Sequence, residues 1–170
     1  NKSTKLVINK RLAYPKDSVG RLMSEEVAKI SKGITVKEAL DELKTLHTSV
    51  EDIVYVYSVD DENILSGVLS FREIVFADHE ELIENVMIPN PISIHPTADQ
   101  EEAARLIKQY ELLALPVVDK NNMLIGQATI STALDVIQAE IAEDFSQSFG
   151  AGAEETIFTP LKKSIKLRLP

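Results

Sequence analysis

The chain contains no cysteine, and this absence removes several kinds of chemistry. Disulfide bonds, thiolate zinc sites and cysteine nucleophiles are all excluded. The absence agrees with a reducing compartment. No stretch approaches the roughly 20 apolar residues that a membrane helix needs, and no secretory signal peptide opens the sequence. We therefore expect a cytosolic protein, or the cytosolic part of something larger.

Positive charge is also scarce, because 18 Lys and Arg residues stand against 27 Asp and Glu residues, for a net charge of −9. Nucleic acid is therefore a poor partner, since its phosphates need a basic face. An acidic surface suits metal cations or basic protein surfaces. The 170 residues, 44% of them hydrophobic, are enough for one domain or for two small ones.

An internal repeat organises the middle of the chain. The stretch 23–40 matches 87–104 at a spacing of 64 positions. The stretches 56–67 and 116–126 also line up, with matched residues 59 positions apart. The first copy carries five extra residues near positions 47–52. The matched pairs include Met23 and Met87, Ile30 and Ile94, Thr35 and Asp99, Glu38 and Glu102, Asp60 and Asp119, and Gly67 and Gly126.

Both copies predict the same order of elements. A short strand (28–30; 92–94) precedes a helix that Thr35 or Asp99 caps, with a glutamate three residues later. An apolar strand (53–59; 114–118), an Asp/Asn-rich turn, a further strand (67–70; 126–129) and a second helix follow. This β–α–β–β–α order, found twice, predicts an α/β sandwich. Each unit is too small to bury both of its faces, so we expect the two to pack together.

The repeat resembles a tandem pair of cystathionine-β-synthase (CBS) domains. The residues that carry the resemblance are LPVVD at 115–119 and the turns GVLS at 67–70 and GQAT at 126–129. The resemblance covers roughly residues 20–144. In most proteins such pairs are regulatory modules, so it implies that the chain is not an enzyme.

Three flanking stretches narrow the resemblance to the cytosolic part of the MgtE family of magnesium transporters. They are AYPKDSVGRLM at 13–23, FADHEELIENVM at 76–87 and ALDVIQAEIAEDF at 133–145. In that family a linker and a plug helix lead from the CBS pair into a transmembrane domain. The resemblance implies an N-terminal remnant (1–17), CBS domain 1 (18–80), CBS domain 2 (81–145), a linker (146–156) and a plug helix (157–170). It also implies a module on the cytoplasmic face of the cell membrane.

The last 13 residues, FTPLKKSIKLRLP, have a pattern that suits a plug helix. Thr159 and Pro160 make a good helix start. The apolar residues Phe158, Leu161, Ile165 and Leu169 recur close to helical spacing, among four basic side chains and no acid. A surface helix packed on its own domain and a membrane-surface anchor are the alternatives.

Acidic side chains are the candidate ligands for Mg²⁺, which prefers oxygen ligands and keeps several waters. Glu140 lies three residues before Glu143 and four before Asp144, so the three share a helix face. In the MgtE family, magnesium-binding carboxylates occur at the positions of Asp99, Glu101, Glu111, Asp135, Glu140, Glu143 and Asp144. Glu111 replaces an aspartate there, and Ser131 and Thr132 replace two acids. The alternative is that these acids are helix-start residues and a solvated face.

An adenine nucleotide such as ATP is the second candidate ligand, because CBS pairs often bind one between the repeats. The usual signature, Gly-h-x-Ser/Thr-x-x-Asp, lacks its aspartate in both copies. In the first copy Ser70, Arg72 and Glu73 could still contact a nucleotide, and in the second copy Thr129 could.

Apolar helix faces predict a homodimer, which is also the habit of the family. They comprise Phe71, Ile74, Val75, Leu134, Val136 and Ile137. The leading hypothesis is a magnesium-sensing gating module. The alternative is a nucleotide-sensing CBS module of another membrane protein or enzyme.

Overall fold

The computed structural model describes residues 12–46 and 53–148 of the chain. These residues form two similar halves, one for each sequence repeat. The first repeat contains α1 (Val19–Leu22), β1 (Ala28–Ser31), α2 (Val36–Leu46), β2 (Tyr55–Val59), β3 (Leu65–Ser70) and α3 (Phe71–Phe76). The second contains α4 (Ile83–Val86), β4 (Ile88–Pro89), α5 (Gln100–Gln109), β5 (Ala114–Val118), β6 (Leu124–Thr129) and α6 (Ile130–Ser148). The predicted α/β sandwich is confirmed.

Each repeat has its own small sheet, and β4 of the second repeat adds a strand to the sheet of the first. In the first, β1 pairs parallel with β2, β2 antiparallel with β3, and β3 antiparallel with β4. In the second, β5 and β6 form an antiparallel pair. The predicted strand at 92–94 is wrong, since only Ile94 bridges to this sheet, at Val117. Pro116 on β5 has no N–H to offer a longer ladder, and Pro91 and Pro96 flank the segment.

The repeats meet through a buried layer between their sheets. Its core consists of Val27, Tyr57, Val59, Leu65, Val118 and Leu124. The Tyr57 hydroxyl donates to Gln127 Oε1 across the layer at 3.1 Å, and burial raises the pKa of this phenol. Each repeat also has a core under its own helices.

The leading segments of the two repeats, residues 17–24 and 81–88, are exchanged. Val19 and Met23 pack in the core of the second repeat, and Ile83 packs in the core of the first. The crossing is tight. A side chain at Gly126 would place its Cβ 2.7 Å from the Ser24 carbonyl oxygen, and one at Gly67 would collide with the Met87 side chain. Glycine at these two positions therefore allows the segments to cross.

The two predicted Asp/Asn turns also join the repeats. Asn63 and Asn122 have positive φ values of 65° and 63°. The Asn63 side-chain amide donates to Leu124 O at 2.7 Å, and that of Asn122 donates to Leu65 O at 3.2 Å. The backbone repeats this reciprocity, because Leu65 N donates to Asn122 O and Leu124 N to Asn63 O, both at 3.0 Å. The hairpins are thus locked together around an approximate two-fold axis.

Candidate functional site: an acidic cluster between two helices

The start of α5 carries two acids in a fixed conformation. Asp99 is the N-cap, and its carboxylate accepts the Glu101 N–H at 2.8 Å. Thr35 and Glu38 form the predicted reciprocal capping box in the first repeat, with Thr35 N donating to Glu38 Oε2 at 2.8 Å. Glu102, the matching residue in the second repeat, lies 4.0 Å from Arg105 instead. The cap leaves the Glu101 side chain free to face its surroundings.

Helix α6 brings two further acids to this point. Ala133 and Val136 face the core of the second repeat. At about 100° per residue, Glu140 and Glu143 continue that same face beyond the end of the core. There they meet the first turn of α5, so Asp99, Glu101, Glu140 and Glu143 form one acidic cluster from two elements.

The cluster is electrostatically strained. A hydrogen bond with Glu140 raises the pKa of Glu101, and the negative charge of Glu140 raises it further. Partial desolvation and the charges of Asp99 and Glu143 act in the same direction. Within the described residues, no Lys or Arg forms an ion pair with these four carboxylates. A cation would relieve the repulsion.

The other three predicted metal residues do not take part in the contacts that Glu101 makes with Asp99, Glu140 and Glu143. Asp144 follows Glu143 on the exposed part of α6. Glu111 has a positive φ of 52° just after α5 and lines a groove beside Leu134. Asp135 is exposed on α6. Across residues 12–46 and 53–148, no group of three or more His, Asp or Glu side chains is arranged to hold a metal ion directly. The cluster therefore suits a hydrated ion better than a closed cage.

Two of the predicted nucleotide residues, Ser70 and Glu73, form a helix cap. Glu73 Oε2 accepts the Ser70 N–H at 2.8 Å and the Ser70 hydroxyl at 3.0 Å, while Ser70 Oγ accepts the Glu73 N–H at 3.1 Å. In the second repeat the hydroxyls of Thr129 and Thr132 lie 2.9 Å apart. Arg72 is exposed on α3. Ser70 and Glu73 are thus held rigidly at the start of α3.

The predicted dimer face is partly wrong. Ile74 is fully buried in the core of the first repeat and Val136 is 4% exposed in the core of the second, so neither can contact a partner. Phe71, Val75 and Leu134 are exposed, as expected. The sequence interpretation missed a longer stripe on α6, which helical spacing could have found; it consists of Ile130, Leu134, Ile137, Ile141 and Phe145. Part of this stripe borders an apolar groove of about 410 Å³ between α5 and α6.

Three predicted elements cannot be compared in full with the structure. Residues 1–11 of the N-terminal remnant, residues 149–156 of the linker and the plug helix at 157–170 lie outside the described residues. Residues 146–148 form the last turn of α6. In residues 12–46 and 53–148, no helix is long and apolar enough to cross a membrane.

The fold and its two glycine crossings define a tandem pair of small α/β domains. The model of the CBS domain family matches residues 19–80 and 83–139, and the chain belongs to that family. The predicted tandem CBS pair is confirmed.

Similar proteins show which kind of CBS pair this chain resembles. All 170 residues match the magnesium transporter MgtE of Bacillus subtilis (strain 168) at 36% identity, over 37% of that protein. A crystal structure of the soluble part of a magnesium transporter superposes with a TM-score of 0.75 at 38% identity, over 79% of this chain and 53% of that one. The crystal structure of the cytosolic domain of the Mg²⁺ channel MgtE in complex with ATP superposes with a TM-score of 0.74 at 35% identity. The match covers 80% of this chain and 55% of that one.

These comparisons confirm the predicted resemblance to the MgtE family. The chain spans 32–37% of the length of the curated MgtE transporters it matches. These relatives are named as transporters rather than enzymes, in agreement with the prediction that the chain is a regulatory module and not an enzyme.

Proposed function

We propose that the chain is the cytosolic regulatory module of a magnesium transporter and that it senses Mg²⁺ through the acidic cluster. The observation that carries the proposal is the contact between Glu101 and Glu140, two acids from different helices, in which the hydrogen bond and the charge of Glu140 raise the pKa of Glu101. Full-length relatives named as magnesium transporters support the choice of ion. The donor set fits, because carboxylate oxygens are preferred ligands of this hard cation.

The cluster would act as a closing device. Without a cation, the carboxylates of α5 and α6 repel one another. Bound Mg²⁺ supplies positive charge, and Glu101 and Glu140 would hold it largely through its water ligands. Asp99, Glu143 and Asp144 would complete the negative surface. The ion then favours whichever arrangement brings the acids together, which is how a ligand shifts a conformational equilibrium.

Glu111 and Asp135 would bind ions in a different way. They lie away from the Glu101–Glu140 contact, so we propose that each meets Mg²⁺ together with a partner outside the described residues. A second copy of the chain is the candidate, because its surface supplies further carboxylates, whereas residues 158–170 carry four basic side chains and no acid. In the intact transporter, a homodimer of this module at the cytoplasmic face of the membrane would hold the plug helices against the transmembrane domain.

The proposal is tested by Mg²⁺ titration of the 170-residue chain. We expect millimolar Mg²⁺ to raise the melting temperature of the wild type, and the Glu101→Gln, Glu140→Gln variant to lose most of that rise. In Mg²⁺-free buffer the same variant should melt higher than the wild type, because its like-charge contact is gone.

The matched control is Glu80→Gln, Glu81→Gln, which removes the same charge from the exposed turn that joins the two repeats. It should respond to Mg²⁺ like the wild type. An equal response in all three proteins would mean that Mg²⁺ acts by general screening and that the cluster is a solvated face.

Adenine nucleotide is a second candidate ligand, favoured by the similar cytosolic domain that binds ATP. We propose that it contacts Ser70, Arg72 and Glu73 of the first repeat, and Thr129 of the second less strongly. Glu73 Oε2 is used by the helix cap, whereas no hydrogen bond to Glu73 Oε1 is seen in the described residues. That second oxygen could accept a ribose hydroxyl.

A further inference from the structure

The leading segment of the first repeat is bonded directly to the loop that begins the acidic cluster. Val19 N donates to Ala98 O at 2.9 Å, and Gln100 N donates to Asp17 O at 2.9 Å. Gly20 N donates to Pro96 O at 2.8 Å, and Ser18 forms a β-bridge with Asp99. Residues 17–20 therefore hold the backbone on both sides of Asp99.

The segment is itself closely packed and hydrogen-bonded. Ser18 is 2% exposed, and its hydroxyl donates to Pro15 O at 2.7 Å. Val19 is fully buried in the core of the second repeat. The Tyr14 ring packs so closely on Gly20 that a Cβ there would overlap it, and Arg21 Nε donates to Tyr14 O at 2.9 Å. A movement of Asp99 would have to break this packing.

We propose that residues 17–20 are a positioning element for the acidic cluster. They fix the backbone of residues 98–100, and with it the carboxylates of Asp99 and Glu101, so the affinity of the cluster for Mg²⁺ depends on this contact. The inference rests on the proposed function, because it concerns the same cluster.

The first repeat contains the same contact without the acids, and so provides a control. There Ile83 N donates to Ile34 O at 2.9 Å, Val36 N donates to Glu81 O at 2.8 Å, and Thr35 bridges to Leu82. The position that matches Glu101, 64 residues earlier, is Lys37. The Glu38 carboxylate is bonded to its own cap. The same substitution made at each of the two contacts should therefore weaken Mg²⁺ binding only when it is made at the contact of the second repeat.

Proline substitution removes one N–H donor from each contact. Val19 and Ile83 are the first residues of α1 and α4, where proline fits a helix. The preceding residues are extended, as proline requires, with ψ values of 154° at Ser18 and 140° at Leu82. Val19→Pro and Ile83→Pro are thus a matched pair. Ser18→Ala is a milder variant that removes only the hydroxyl contact to Pro15.

Two measurements on the 170-residue chain decide the matter: the Mg²⁺ dissociation constant by calorimetry, and amide hydrogen exchange in Mg²⁺-free buffer. We expect Val19→Pro to speed exchange at residues 99–103 and to weaken Mg²⁺ binding about tenfold, as loss of a supporting contact does at metal sites. Ser18→Ala should act in the same direction but less. Ile83→Pro should speed exchange at residues 35–39 and leave Mg²⁺ affinity unchanged.

Three results would overturn the inference. Val19→Pro and Ser18→Ala could both leave exchange at 99–103 as in the wild type, or they could speed it with no change in Mg²⁺ affinity. Ile83→Pro could weaken Mg²⁺ binding as much as Val19→Pro does, which would indicate general loosening. If the wild type binds no Mg²⁺, the proposed function is wrong. The inference that Mg²⁺ affinity depends on residues 17–20 is then wrong as well. The exchange data then still decide whether residues 17–20 hold this backbone.

Discussion

Asn63 and Asn122 illustrate what a single residue does in this fold. Each adopts a positive φ, which asparagine tolerates better than most residues. Asp60 and Asp119 support the turns, each accepting two backbone N–H groups through one carboxylate oxygen. The sequence predicted these turns from composition. It could not predict that the asparagine amides reach the other repeat, because that contact depends on how two sheets face each other.

The capped position of Glu73 leads to a prediction about nucleotide affinity. We expect Glu73→Ala to weaken ATP binding by about ten- to a hundredfold, since a hydrogen bond to a charged group contributes about 1.5–3 kcal/mol. Thr129→Ala should have a smaller effect, because Thr132 stands where the first repeat has its acid. Calorimetry with ATP measures both.

Glu73→Ala also removes a helix cap, so Glu73→Gln is the control for structure. The amide oxygen can still accept the two Ser70 hydrogen bonds, and the melting temperature should stay near that of the wild type. The assignment to the first repeat is wrong if Glu73→Ala binds ATP normally while Thr129→Ala does not bind it.

The acidic cluster was only half predictable. Helical spacing alone places Glu140 and Glu143 on one face of α6, and the N-cap pattern places Asp99 and Glu101 at the start of α5. That Glu101 meets Glu140 depends on the antiparallel packing of two helices far apart in sequence. Glu111 and Asp135 belong to the same predicted set, yet they lie elsewhere for the same reason.

At the scale of elements, helix α6 has two apolar faces with different roles. One face, with Ala133 and Val136, packs in the core of the second repeat. The adjoining stripe includes Leu134 and Ile141, which are 51% and 59% exposed. Apolar spacing marked residues from both faces, but it could not tell which one a repeat uses for its own core. Val136 was therefore assigned to the wrong face, as was Ile74 on α3.

The exposed stripe leads to a prediction about assembly. If a second copy covers the groove between α5 and α6, Leu134→Glu buries an unpaired charge there. That costs about 3 kcal/mol or more, so we expect the dimer dissociation constant to rise on the order of a hundredfold. Sedimentation equilibrium measures this change, and circular dichroism checks that the fold is kept.

The control for this prediction is Ala139→Glu, which adds the same charge to the opposite, exposed side of α6. It should leave the association state unchanged. If Leu134→Glu and the wild type sediment alike, whether as monomers or as dimers, the groove is not the dimer face.

At the scale of the whole molecule, the exchange of leading segments ties the two repeats into one body. Ile83 completes the core of the first repeat, while Val19 and Met23 complete that of the second. The internal repeat predicted that the halves would pack together, because each is too small to stand alone. It did not predict the exchange, since matched positions such as Met23 and Met87 look the same whichever repeat they pack against.

The exchange predicts that the repeats unfold together. Val56 is fully buried in the core of the first repeat, and Val56→Ala should cost about 2 kcal/mol there. Because the cores share segments, we expect slow-exchanging amides in β5 of the second repeat to lose protection by the same free energy as those in β2. Urea unfolding followed by circular dichroism and by tyrosine fluorescence should give one coincident transition.

The control is Glu62→Ala, in an exposed turn, which should change neither measurement. If Val56→Ala lowers protection in the first repeat alone, or the two urea curves separate, the repeats are independent units and the exchanged segments do not couple them.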